Sequence, residues 1–309
     1  MLFLNDWTHE TADTLYQAAQ TTGPPTLTNG LINGTNVYDT VGSRFEMNFE
    51  AGQSYRLRLV NGAIDSVFKF SIDNHTLTVI ATDFVPIVPY TTDVISLTMG
   101  QRYDVIVTAT ETSGDFWMRA IPQTSCSDND NADNIRGIVR YDSTSTSDPT
   151  TTGYDYIDSC DDELMSNLVP YLALDAEAGV LAENSAVTVG KSNNLFKWYM
   201  SATTFVVDWA DPTLKQIMDG NTTWTKPQHV VSLPNANEWV YFIIETVNAV
   251  AHPIHLHGHD FWVLAQGTGT YASAAPTLQY TNAPRRDVVT LPASGYVVIA
   301  FLTDNPGAW

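Results

Sequence analysis

The chain of 309 residues has little positive charge, little cysteine and no long apolar run. Only 14 Lys and Arg stand against 34 Asp and Glu, a net charge of −20. Such a balance argues against a nucleic-acid partner and against an anionic membrane surface, and it favours solubility. No stretch approaches the roughly 18 consecutive apolar residues that a membrane-spanning helix needs. Met1 to Asn5 has neither the basic start nor the long apolar stretch of a secretory leader. No Gly-x-Ser-x-Gly sequence is present, so a serine nucleophile on a strand-to-helix elbow has no support. The two cysteines, Cys126 and Cys160, sit in Ser/Thr/Asp-rich, loop-like sequence far from any histidine.

Histidine is scarce too, but it is concentrated. Of seven in the chain, four fall in His252-Pro-Ile-His255-Leu-His257-Gly-His259. Neutral imidazole is the commonest protein metal ligand and suits copper, zinc and iron. Pro253 excludes an uninterrupted helix through the run. In an extended backbone His255 and His257 share one face, because side chains alternate with period two. His252, three residues before His255 and followed by the proline, can be aimed elsewhere, so one segment can serve two metal sites.

Most of the remaining text reads as short strands. Met1–Trp7 is a strand, and Thr8 is a candidate N-cap for a short helix carrying Ala12, Leu15, Tyr16 and Ala19, ended by Gly23-Pro24-Pro25. Tyr55, Leu57 and Leu59 alternate with Arg56 and Arg58, and Phe68, Phe70 and Ile72 with Lys69, Ser71 and Asp73. With Val94–Leu97 and Tyr103–Val107 they are spaced as in a β-sandwich, which predicts an all-β domain over 1–141. Residues 142–177 have the Ser/Thr/Asp-rich composition of a connection. A second all-β domain is expected over 178–309. Its predicted strands are Ser185–Val189, Asn194–Met200, Phe205–Trp209, Val230–Leu233, Glu238–Thr246, Phe261–Ala265, Val288–Thr290 and Tyr296–Thr303, with a helical turn at Leu214–Met218.

The run from His252 to Phe261 resembles the third copper-ligand motif of multicopper oxidases, specifically ascomycete-type fungal laccases. Leu31–Thr35, Tyr55–Asn61 and Gly100–Val105 resemble segments of that family's middle domain. Pro284–Asp287, Leu291-Pro292 and Thr303–Trp309 resemble its last domain. The similarity is colinear over nearly the whole chain. It implies two cupredoxin-like Greek-key β-sandwiches, the middle and last of the family's three domains. On this resemblance the first domain and the His-Cys-His segment of the last strands are expected to be missing, leaving an open sheet edge that a second chain can cover.

The resemblance also implies roles. His252 matches a ligand of the mononuclear copper that receives electrons, His255 and His257 match ligands of the trinuclear cluster that reduces dioxygen, and His259 matches no ligand. Asp65 matches the carboxylate that accepts a hydrogen bond from a phenol and assists loss of its proton. Phe196 and Trp198 match aromatics at the rim of the substrate pocket, and Val250 faces the same pocket. Solvation of a turn aspartate and packing of strand aromatics are the plainer accounts of Asp65 and of the Phe196–Trp198 pair. A Cys126–Cys160 disulfide, also implied by the resemblance, indicates an oxidising compartment. Sequons at Asn33, Asn74 and Asn221 point the same way, to a secreted protein.

Ligand number limits the expectation. The intact family binds four copper ions; a blue copper needs a cysteine thiolate beside two histidines, and the trinuclear cluster needs eight histidines. Two of those eight are here, and neither cysteine is placed to be the thiolate. The expected function is a truncated laccase-like oxidase whose parent activity is one-electron oxidation of phenols and aromatic amines with reduction of dioxygen to water. Partial or no copper is expected in this chain alone, with a weak copper or zinc site at His255 and His257, aided by His252 or His259. Two other readings stay open: metal-assisted hydrolysis of an aromatic ester or lactone, and a non-catalytic interaction protein paired through the open edge.

Overall fold

Alternating apolar and polar side chains are the mark of a strand with one face on a core. In the computed structural model, which describes residues 1–309, Ser54–Asn61 is such a strand, with Leu57 and Leu59 buried. It lies third in a six-stranded sheet ordered Asn29–Ile32, Leu2–Trp7, Ser54–Asn61, Arg102–Thr108, Leu77–Thr82, Val85–Thr92. A five-stranded sheet packs on it, ordered Ile95–Leu97, Phe68–Ile72, Asp115–Pro122, Arg136–Arg140, Glu46–Asn48. Side chains of both sheets, among them Leu4, Leu59 and Val105 from one and Phe70, Met118 and Val139 from the other, join in one cluster of 24 buried residues. A single shared cluster makes the two sheets one sandwich. Leu2–Trp7 pairs antiparallel with Asn29–Ile32 but parallel with Ser54–Asn61, the crossing connection of a Greek key.

The helix spans Ala12–Thr22, and its N-cap is Thr11, not Thr8. Residues 8–10 are consumed in turning the chain away from the strand, and the Thr8 hydroxyl accepts the Glu10 N–H there. Thr11 accepts the Thr14 N–H in its place. Gly23 closes the helix at φ 103° and donates its N–H to Ala19 O.

The C-terminal β unit is built around Gly295–Leu302. This strand lies between Trp239–Thr246 and Phe261–Thr268 in a six-stranded sheet ordered Leu195–Met200, Val180–Ser192, Trp239–Thr246, Gly295–Leu302, Phe261–Thr268, Arg285–Arg286. Seven of its eight residues are buried, which explains its unbroken apolar sequence. Val297, Ile299 and Phe301 enter one cluster, and Tyr296, Val298 and Ala300 enter another on the opposite face. A two-stranded ladder, His252–His255 against Val288–Leu291, adds Val289 and Leu291 to the first of these clusters. Neither ladder strand has a second neighbour.

Two expected strands do not form. Phe205–Trp209 and Val230–Leu233 are irregular, and Phe205, Val206 and Trp209 are exposed. Both segments follow the edge strand Leu195–Met200, whose one neighbour is Val180–Ser192, and Pro212, Pro227 and Pro234 interrupt the surrounding chain. The helical turn does form, over Thr213–Met218.

Residues 142–177 run irregularly apart from one tight turn at Met165–Asn167. Their polar groups satisfy those of the first sandwich. Thr151 donates to the buried Asp73 carboxylate beside Arg119, and Cys160 is disulfide-bonded to Cys126. Asp162 then ties this segment to both units. It accepts hydrogen bonds from Gln101 of the first unit and from the Thr290 N–H, the Thr290 hydroxyl and Gln266 of the second.

Beside Asp162 lies Arg286, fully buried, with its Nε donating to Asp83 of the first unit at 3.0 Å. Burial alone would lower the Arg286 pKa; Asp83 and Asp162 outweigh it and hold the guanidinium charged. A buried ion pair thus joins the two units, beside polar contacts such as Thr98–Thr290 and Arg102–Asp287.

Candidate metal centre and substrate face

The ladder ends at His255, so His257 lies in a turn rather than on the strand. Gly258 makes that turn with φ 80°, and a Cβ there would stand 2.7 Å from the Trp309 ring. Asn305 donates to Gly258 O at 2.6 Å and Trp309 covers the turn. The outcome still joins the two imidazoles: the His255 and His257 ring centroids are 4.9 Å apart. They line one open cleft of about 710 Å³ together with Asp83, Phe84, His259, Asp287 and Trp309. Both histidines are exposed.

His255 is aimed by its own hydrogen bond. Its Nδ1 lies 2.6 Å from the Asp287 carbonyl oxygen. A carbonyl only accepts, so Nδ1 carries the proton and Nε2 keeps its lone pair free for a metal. Asp287 is held in turn by Arg102, whose two terminal nitrogens reach its two carboxylate oxygens at 2.6 and 2.7 Å.

His252 is placed differently. It is half-buried, and its ring meets the Trp198 ring edge-on at 4.5 Å. Burial lowers its pKa, which keeps the imidazole neutral, the form that binds metal. It does not line the cleft of His255 and His257. The run therefore presents imidazole to two separate places.

Trp198 and Phe196 alternate on the Leu195–Met200 strand and share one of its faces. Trp198 is half exposed and Val250 39% exposed. Phe196 lies under the Lys191 ammonium at 4.3 Å and beside Gly23 at the helix end. Phe196 thus neighbours the helix terminus, and Trp198, two residues on along the strand, neighbours His252. Asp65 stands on the first unit, half-buried, and accepts a 2.6 Å hydrogen bond from Ser127. Burial raises its pKa, the Ser127 bond opposes this, and the nearby Asp6 and Asp128 carboxylates raise it further.

No group of three or more His, Cys, Asp or Glu converges on a metal-sized point in this chain. The free Nε2 of His255 and the neutral His252 nevertheless fit a copper-type donor set, as contributors of part of it. Sequence reading missed the supporting residues. Arg102 and Asp287 lay in segments marked by resemblance and Asp83 in none, and nothing in the sequence tied the three to the histidines. His259, with its ring 4.9 Å from that of Phe301, shares the cleft without joining the other two.

Two joined β units of this kind, with imidazoles on an edge ladder and its turn, define a protein of the cupredoxin fold. Family models described as multicopper oxidase match residues 1–144 and 199–309, and the chain belongs to the multicopper oxidase family. Its relatives include ascomycete-type laccases. Laccase-1 of Botryotinia fuckeliana is 46% identical over 100% of this chain and 55% of its own length, and Laccase-3 of the same fungus 40% identical over 99% and 72%. The laccase structure from Botrytis aclada superposes with a TM-score of 0.94 at 43% identity, covering 99% of this chain and 59% of that one. The chain thus spans about half the length of several relatives that it matches.

Proposed function

We propose that the chain forms the substrate face and one histidine segment of a laccase-type multicopper oxidase, which oxidises phenols and aromatic amines by single electrons and reduces dioxygen to water. One observation carries this reading: His252 faces Trp198, while His255 and His257 face a separate cleft 4.9 Å ring to ring. One short ladder strand and its turn then link a substrate-side site to an oxygen-side site.

Copper, when bound, supplies the one-electron chemistry that side chains lack. His252 would hold it on the substrate side, His255 and His257 on the oxygen side. The protein's own work is positional. Trp198, Phe196 and Val250 offer an apolar surface to an aromatic ring. Asp65, with its proton affinity raised, takes the hydroxyl proton of a phenol as the ring loses its electron. His255 and His257 supply part of the oxygen-side ligation, and the remaining ligands come from outside these residues. The disulfide and the sequons support an extracellular setting.

Saturation-transfer NMR with 2,6-dimethoxyphenol tests the substrate face. The signal should be present in the wild type, fall several-fold in Trp198→Ala and Val250→Asp, and persist in His257→Ala. Equal signal in all of these variants contradicts the assignment.

A further inference from the structure

The loop that carries Asp65 has no regular structure, yet it is pinned at nearly every residue. Gly62 donates its N–H to Leu4 O and accepts from the Asn5 amide, each at 2.9 Å. A Cβ on Gly62 would stand 2.8 Å from that Asn5 nitrogen, so a larger residue here would displace the Asn5 amide. Asn61, fully buried, accepts the Ala63 N–H and donates to Ser66 O and Leu97 O. The densest contact comes from Asp6. Its Oδ1 accepts the Ile64 N–H at 3.1 Å, and its Oδ2 accepts those of Asp65 and Ser66 at 2.9 and 3.0 Å. Three successive backbone donors thus converge on one carboxylate, as they do around anions.

Asp6 is itself part of a paired strand. It lies within the Leu2–Trp7 strand, paired with Gly30 on one side, while the same strand pairs with Ser54–Asn61 on the other. We infer that Asp6 is the positioning residue for Asp65: it fixes the backbone of the Asp65 turn from a rigid strand and sets a second negative charge beside the proton acceptor. The substrate-side carboxylate is therefore a two-aspartate device in which one member binds the loop and the other faces substrate.

The electrostatics agree with the geometry. Charged groups facing Asp65 are Asp6 from the strand and Asp128 from the loop that also supplies Ser127. All of them are acidic, so each favours the protonated form of Asp65. Asp6 differs from Asp128 in also holding the Ile64–Ser66 amides, and that separates their effects. The role as proton acceptor rests on the function proposed above; the positioning does not.

The test uses the full chain labelled with ¹³C at aspartate carboxyls, Asp65→Asn giving the assignment. In Asp6→Asn the Asp65 titration midpoint should fall, and hydrogen exchange at the Ile64, Asp65 and Ser66 amides should quicken on the order of tenfold, the equivalent of one charge-assisted hydrogen bond. In Asp128→Asn the midpoint should fall while exchange stays as in the wild type. Unchanged midpoint and exchange in Asp6→Asn overturns the inference, as does equal quickening in both variants. Should Asp6→Asn lose its fold, Asp6→Glu keeps the charge and displaces the oxygens; it should quicken exchange, and wild-type exchange there overturns the inference. Adding 2,6-dimethoxyphenol separates the two readings. If the phenol leaves the wild-type Asp65 signal unmoved, the proton-acceptor role fails while the Asp6 result stands.

Discussion

His255 donates its Nδ1 proton to the Asp287 carbonyl across 2.6 Å, and this bond reaches beyond the histidine segment. The Asp287 carboxylate is gripped at both oxygens by Arg102, which belongs to the other sandwich. Arg102 also donates to the Asp83 carbonyl and lies over the Phe84 ring at 4.4 Å. A candidate metal ligand in the C-terminal unit is thereby linked through Asp287 to the N-terminal unit.

Arg102→Met should lower the affinity of the chain for Zn(II) or Cu(II) by about 10–100-fold, the usual cost of losing a partner that orients a ligand. Isothermal titration with each metal measures it. His255→Ala in the same assay sets the floor, and wild-type affinity in Arg102→Met contradicts the coupling.

The Arg286–Asp83 pair is fully buried and spans 203 residues of sequence. Removing either partner strands a charge away from water, which costs about 3–5 kcal/mol. Arg286→Ala and Asp83→Ala should each lower stability by that order in urea melts, and the double variant should cost less than the sum. Additive losses would show that the pair is not coupled.

Glu163, in the connecting segment packed on the first unit, gives the fold a pH dependence. Its carboxylate accepts the Ser96 N–H at 2.8 Å and the Tyr90 hydroxyl at 3.0 Å, yet burial outweighs both bonds and raises its pKa above the ordinary 4.5. A carboxyl raised in the folded state favours folding in acid. That contribution is complete below about pH 4.5 and is lost as pH rises through the folded value. Glu163→Gln should therefore be more stable than the wild type at about pH 7, and the gap should close below about pH 4.5. Urea melts across that range check the sign, and a gap that widens in acid contradicts it.

The strands were legible where burial imposed a period. Leu57 and Leu59 against Arg56 and Arg58 need only one buried face, and Gly295–Leu302 declares two buried faces by its unbroken apolar run. Phe205–Trp209 has the same apolar character but no strand to pair with, and strand propensity without a partner produces coil. The histidine run was legible by density alone. Its turn was not read, although Gly258 at φ 80° was the signal that the strand ends before His257. Least legible were the long-range polar contacts. Asp6 and Asp65 lie 59 residues apart, Arg102 and Asp287 lie 185 apart, and neither pairing leaves a local pattern in sequence.

The central claim is that His255 and His257 belong to a copper centre. The measurement is the copper content and electron paramagnetic resonance spectrum of the chain, after anaerobic loading, removal of loose metal and reoxidation in air. The account predicts bound Cu(II) coupled to imidazole nitrogen, lost in His255→Ala/His257→Ala. It also predicts no thiolate-copper absorption, since Cys126 and Cys160 are bonded to each other. Copper that fails to bind, or that binds unchanged in the double variant, would contradict it.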